Sequence, residues 1–252
     1  IHVQKIEKIC PSRKQILLFS ATMPNKVVKL ANTILKSPEK IDITPTALTA
    51  ANVKQLLYYV PIGKKMQLIL HLFRNGSIKG NVIIFRRTKH GVEKLEELLK
   101  ENNYQVESLH GAKSQNLRQE SLKTFKEISK KSHNELNVLI ATDVASRGID
   151  VDGIDTVINF DVPSIPETYV HRIGRTARAG KSGESYSFCS AEEKEFLTGI
   201  QNLIRESIQV ENDHPFPLDP DAQPQIHKRQ SGSKYRKGRK SEASKKKKKR
   251  WY

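Results

Sequence analysis

Three arginines and a histidine crowd the decapeptide "HRIGRTARAG", His171 to Gly180. Taken as a helix, positions 171, 175 and 178 follow the i, i+4, i+7 spacing that sets His171, Arg175 and Arg178 on one face. Cations stacked in this way repel one another by about 0.2–0.5 kcal/mol per pair. Either the face is simply solvated, or something anionic meets it. The arginine fork matches phosphate oxygens, so phosphate is the chemistry to look for elsewhere in the chain.

A second concentration lies at "ATDVASRGID", Ala141 to Asp150. Thr142 and Gly148 allow a hydroxyl or a backbone amide to approach phosphate oxygens, and Asp150 is an acceptor suited to a sugar hydroxyl. Asp143 also fits the cap of a helix starting at Val144.

The elements that must position these residues show in the apolar pattern. Short runs recur at "ILLF" (Ile16 to Phe19), "LLYYV" (Leu56 to Val60), "VIIF" (Val82 to Phe85), "VLIA" (Val138 to Ala141), "TVINF" (Thr156 to Phe160) and "SYSF" (Ser185 to Phe188). They read as buried strands. Amphipathic helices are predicted between them, over Lys89 to Lys100 and Gln115 to Ile128, and an earlier one is opened by Pro24 and closed around Ser37-Pro38. Alternating strands and helices imply an α/β fold, a mostly parallel sheet with helices on both faces. Ligands of such sheets bind beyond the carboxyl ends of the strands. Those ends carry Arg86, Arg87 and Thr88 after "VIIF", His110 and Gly111 after "VESL", the "ATDVASRGID" segment after "VLIA", and Asp161 after "VINF". A row of such residues suits an extended, charged ligand better than one small molecule.

Of the net charge of +17, +12 sits in residues 226–252, where thirteen Lys/Arg face the single acid Glu242; the rest of the chain carries only +5. Cys10 and Cys189 match no metal or redox spacing, which predicts two inert packing residues in a reducing compartment. No apolar run approaches the roughly 20 residues of a membrane span. The start, "IHVQKIEKIC", has neither an initiator Met nor a signal peptide, so a soluble cytoplasmic protein lacking its natural beginning is expected. The organisation expected is a first block at 1–45, a linker at 46–54, a main domain at 55–210, and a disordered tail at 211–252 that turns from Pro-containing to Lys-rich.

"SAT" at Ser20 to Thr22, "VIIFRRT" at Val82 to Thr88, "HG" followed by Gln115 and Arg118, "IATDVASRGID" at Ile140 to Asp150, and "HRIGRTARAG" occur in that order. Together they resemble motifs III, IV, IVa, V and VI of DEAD-box ATP-dependent RNA helicases, over roughly residues 1–205. The "DHPFPL" stretch and lysine tail resemble a bacterial RhlE-type member. Ala177 stands where many members have glycine.

The resemblance implies two RecA-like lobes closing on ATP and RNA, with this chain supplying the second lobe and a C-terminal remnant of the first. It implies that Arg175 and Arg178 are catalytic arginine fingers on the γ-phosphate, and that Gly148 and Asp150 bind ATP. It further implies that Ser20, Thr22 and His171 couple the lobes, and that Thr88, Gly111, Arg118 and Thr142 bind the RNA backbone. Mg²⁺ would be held by the other lobe, because the chain has no G-x-x-x-x-G-K-[ST] loop, no DEAD tetrad and no adenine-reading motif. "PIGKKM", Pro61 to Met66, lacks the phosphate-loop spacing. The chain alone is therefore expected not to hydrolyse ATP. The basic tail, with Tyr235, Trp251 and Tyr252, suits salt-dependent RNA anchoring or mere solubilisation. A non-enzymatic RNA-binding module is the competing reading, and His171 argues against a DNA-directed relative.

Overall fold

The computed structural model describes residues 2–10, 12, 14–20, 23, 25–41, 52–131, 135–146, 151, 153–178, 181–219 and 222–223. Seven parallel strands form one sheet: β1 (Val53–Tyr59), β2 (Asn81–Arg86), β3 (Gln105–Leu109), β4 (Asn137–Thr142), β5 (Thr156–Asn159), β6 (Gly183–Cys189) and β7 (Gln209–Val210), in the order β3-β4-β2-β5-β6-β1-β7. Helices α1 (His2–Ile9) and α2 (Asn25–Ile34) precede the sheet. Six more alternate with its strands: α3 (Lys65–Arg74), α4 (Lys89–Glu101), α5 (Gln115–Lys131), α6 (Asp143–Ser146), α7 (Pro166–Ile173) and α8 (Lys194–Ile204).

The central strands are continuous apolar runs because both faces are covered. Val82, Ile84, Val138, Ile140 and Ile158 pack with Leu68, Leu72, Val92 and Leu95 of α3 and α4 on one face. Ile83, Phe85, Leu139 and Val157 pack with Phe125 of α5 on the other, where Tyr169 and Ile173 of α7 and Leu197 and Ile200 of α8 continue the cover. β2 thus leads into a helix on one face while its neighbours β4 and β5 lead into the opposite face. Crevices for a ligand form where connections diverge in this way, here beside the carboxyl end of β2.

Several boundaries differ from the sequence expectation. Residues Ile16 to Phe19 form no strand, and Leu17 and Phe19 are 66% and 89% exposed; a strand without a hydrogen-bonding neighbour leaves its backbone unpaired and does not persist. α2 stops at Ile34, before Ser37-Pro38, and Pro24 lies outside the described residues. Val53 and Lys54, assigned to the linker, are the first residues of β1. Residues 211–219, assigned to the tail, run as an ordered strap: the Glu211 amide donates to Leu57 O (2.8 Å) and the Leu218 amide to Tyr59 O (2.9 Å), while His214 packs edge-on against Tyr58. Cys189 is buried as expected, but Cys10 is exposed; neither is in a disulfide. Among the described residues no helix is long and apolar enough to cross a membrane.

Candidate functional site

The carboxyl end of β2 is held by a chain of ion pairs. Arg86 Nε pairs with Asp161 Oδ2 at 3.0 Å, and its guanidinium sits 4.0 Å from the centroid of the Phe160 ring. Burial pushes the Arg86 pKa down despite Asp161. Gly91 makes room for it, since a Cβ there would come within 2.6 Å of Arg86 Nη2. Arg87 donates its amide to Asp161 Oδ2 (2.8 Å) and its Nη2 to Glu193 Oε1 (2.8 Å) and Val162 O (3.1 Å). Glu193 closes a capping box with Ser190 and also binds the buried ammonium of Lys65, which reaches Phe160 O at 2.9 Å. A carboxylate with two cations and backbone donors is fully compensated despite its burial. Lys65 of "PIGKKM" therefore has a structural position and is not part of a phosphate cradle.

At the end of β4, Thr142 is half-buried and Asp143 begins α6. The Asp143 carboxylate takes a fork from Arg172, with Nε to Oδ1 at 2.7 Å and Nη2 to Oδ2 at 2.8 Å. Arg172 is 3% exposed; its Nη1 donates to Asn159 Oδ1 (3.1 Å) and Asp161 O (2.8 Å), and its guanidinium lies 4.9 Å from the Phe85 centroid. This one side chain ties α7 to the ends of β2, β4 and β5.

The helical face expected of His171, Arg175 and Arg178 is not formed. α7 ends at Ile173, and the chain continues in tight turns, with the Arg175 amide on Arg172 O (3.0 Å) and the Thr176 amide on Ile173 O (3.1 Å). His171 is exposed on the last turn of the helix; Arg175 and Arg178 follow it on the turn. Each arginine folds back four residues, Arg175 Nε to His171 O (3.3 Å) and Arg178 Nε to Gly174 O (3.2 Å), where cations offset the negative end of the helix. Buried Thr176 anchors the turn by donating to Ile154 O and Asp155 O. Ala177 has φ +55°, in the left-handed region that favours glycine.

The remaining candidates divide. Thr88 is the N-cap of α4, its Oγ1 accepting from the Gly91 amide at 3.0 Å. Gly111 is exposed, and a Cβ there would meet nothing within 4 Å, so its backbone is open to approach. Arg118 donates to Ala145 O (2.8 Å), fastening α5 to α6 after β4. Ser20 lies exposed in irregular chain, and Thr22, Gly148 and Asp150 lie outside the described residues. The strand ends thus bring together Arg86–Thr88, Thr142–Asp143 and Asp161. Arg172 ties Asp143 to α7, and the turn carrying Arg175 and Arg178 follows that helix. Among the described residues no group of three or more His, Cys, Asp and Glu could hold a metal ion. Arg172, Asn159, Lys65 and Glu193 were not foreseen; Ser190-x-x-Glu193 is a legible capping-box signature, but the partners of the other three are distant in sequence.

Residues 64–180 match the helicase conserved C-terminal domain. Escherichia coli DEAD-box protein SrmB, solved bound to the regulator of ribonuclease activity A, is 34% identical and superposes with a TM-score of 0.60, covering 68% of this chain and 97% of that one. The chain belongs to the DEAD-box family of RNA helicases. Its parallel sheet is the RecA-like fold of the DEAD-box C-terminal lobe. The DEAD-box ATP-dependent RNA helicase RhpA of Helicobacter pylori is 38% identical over 208 residues, 82% of this chain and 41% of that protein. The chain therefore spans about two fifths of the length of this relative. Saccharomyces cerevisiae Dbp5 bound to RNA and ADP BeF3 is 29% identical with a TM-score of 0.71, over 82% of this chain and 54% of Dbp5.

Proposed function

We propose that this chain is the second lobe of an ATP-dependent RNA helicase, in which Arg175 and Arg178 stabilise the transferring phosphoryl group of an ATP held mainly by a first lobe. The observation that carries the proposal is the turn 174–178. Thr176 pins it, and the Nε of each arginine is engaged by a carbonyl four residues back, His171 O in α7 and Gly174 O just after it. Positioned guanidinium groups of this kind act on charge as it develops, with no reorganisation at the moment of reaction.

Gly148 and Asp150 would bind the nucleotide beside this turn. Thr142, the open amide of Gly111 and Arg118 would hold the RNA backbone, with Thr88 contributing from the first turn of α4. Such contacts position a strand without reading its sequence. Ser20, Thr22 and His171 would couple the lobes. The apolar side chains of the first block, among them Ile6, Ile9, Leu17 and Phe19, are more than 60% exposed and suit burial against a first lobe. That lobe would also bring the Mg²⁺ ligands, so this chain by itself would not hydrolyse ATP. An RhlE-type, cytoplasmic enzyme acting on single-stranded or locally duplex RNA, with the basic tail as an anchor, completes the reading.

The test joins this chain behind the first lobe of the H. pylori relative and measures RNA-stimulated phosphate release. Arg175→Ala and Arg178→Ala are each expected to lower kcat on the order of a thousandfold, the range of arginine fingers in related phosphoryl transfer, with RNA affinity unchanged. Hydrolysis indifferent to both substitutions refutes the proposal.

A further inference from the structure

A cavity of about 490 Å³ runs along the outer flank of α3, lined by Gln67, Leu70, His71, Arg74, Asn75 and Phe216. One wall is the helix. The other is the strap, which lies outside the residues matched to the helicase domain and carries Phe216 into contact with the core. The strap is fixed by its bonds to Leu57 O and Tyr59 O and by His214 against Tyr58, so the groove is a built feature of the lobe. From Gln67 to Asn75 the helix rises about 12 Å, room for roughly four residues of extended chain.

The chemistry of the lining selects the occupant. Leu70 and Phe216 are half-buried and give an apolar floor, while Arg74 and the adjoining Lys64 make the rim basic. Arg74 Nη2 bonds Asn102 Oδ1 at 2.7 Å, which holds the guanidinium in place at the end of the groove. Among the described residues no acid lines the groove; Glu211 and Asp213 of the strap act on His214 instead. The basic segment 226–252 has the wrong sign to fill it. RNA suits it poorly: α3 starts at the strand ends, where Lys65 meets Phe160 and Glu193, and leads away from them, and Lys64 already lies 6.0 Å over the Phe216 ring that a base would need for stacking.

We propose that the groove between α3 and the strap docks a short acidic protein segment bearing a large apolar side chain. The apolar residue would enter between Leu70 and Phe216, with its flanking carboxylates on Arg74 and Lys64. This role does not depend on the ATP and RNA chemistry at the strand ends.

The experiment pans a phage-displayed library of random 12-residue peptides against the purified chain. Enriched peptides should share at least two acids around a leucine, methionine or aromatic residue. A synthetic copy of the enriched sequence should lose at least tenfold in affinity on Arg74→Glu, an exposed substitution that leaves the fold intact by circular dichroism, and severalfold on Leu70→Ser. Oligouridylate binding should be unchanged by Arg74→Glu. No enrichment, enrichment of sequences without acids, or indifference to Arg74→Glu overturns the proposal; so does a tenfold loss of oligouridylate binding in that variant, which would make the groove a nucleic-acid surface.

Discussion

Replacing Arg172 by alanine separates the structural arginine of the decapeptide from those assigned to phosphate. The side chain makes two bonds to Asp143, one to Asn159 and one to Asp161 O. Removing one partner of a buried ion pair costs about 3–5 kcal/mol. The Asp143 side chain is 34% exposed and can regain water, which moves its share toward the lower end. Asn159 Oδ1 and Asp161 O lose a donor, at about 1–3 kcal/mol for a buried group left without one. Arg172→Ala should therefore destabilise the chain by about 3–5 kcal/mol, against less than about 1 kcal/mol for Arg175→Ala, whose bond to His171 O is long and lies near the surface. With a urea slope of about 1–3 kcal/mol/M, the unfolding midpoint falls by 1 M or more for the first and little for the second. In Arg172→Ala a further Asp143→Asn should add little, because the pair is already broken. Equal midpoints for Arg172→Ala and Arg175→Ala would refute the division of labour among these arginines.

Gly183→Ala would drive a Cβ into Thr176 Oγ1 and to 2.9 Å from the Ala177 amide; thermal melting should show about 1–3 kcal/mol of overpacking cost, and the turn carrying Arg175 and Arg178 should shift. Burial pushes the Tyr58 and Tyr169 hydroxyls and the Cys189 thiol up to about 12, and Tyr186 also upward with help from its bond to Glu184. The fold favours their neutral forms, so their stabilisation is intact below about pH 9–10 and drains away as pH rises toward 12. Absorbance at 295 nm should show these tyrosines ionising only with cooperative unfolding; titration of every tyrosine near pH 10 with an unchanged circular dichroism spectrum would contradict this. Burial lowers the His214 pKa, so the strap's stabilisation is present above about pH 6.5 and is lost as pH falls below it. The protection of the Glu211 and Leu218 amides against hydrogen exchange, taken relative to the intrinsic rate at each pH, should fall between pH 7 and 5, and His214→Phe should remove that dependence.

The sheet was legible because β2, β4 and β5 are buried on both faces and therefore read as uninterrupted apolar runs. The same pattern misled at Ile16 to Phe19, since an apolar run states a capacity for burial and says nothing about whether a neighbouring strand is present. β7, with two residues, is too short to show any periodicity. The strap reads as tail because Pro215 and Pro217 break every period, yet His214 and Phe216 supply the rings that seal Tyr58 and the core edge. In the decapeptide, residue types were legible and geometry was not. The helix stops at Ile173, so the supposed shared face dissolves, while Arg172 turns inward toward a partner 29 residues earlier in the chain. Spacing along one segment cannot report a contact of that kind. Lys65 and Glu193 were hidden for the same reason, although Glu193 carried a local signal in its capping box.

The most direct measurement is the association of this chain with a separately purified first lobe of a DEAD-box relative, followed by sedimentation with and without an ATP analogue and single-stranded RNA. The account predicts a one-to-one complex that forms only with both ligands present and is lost in the Arg175→Ala, Arg178→Ala double variant, which still binds RNA. A chain that binds RNA equally well alone and never recruits the first lobe, or a complex indifferent to both arginines, would contradict it.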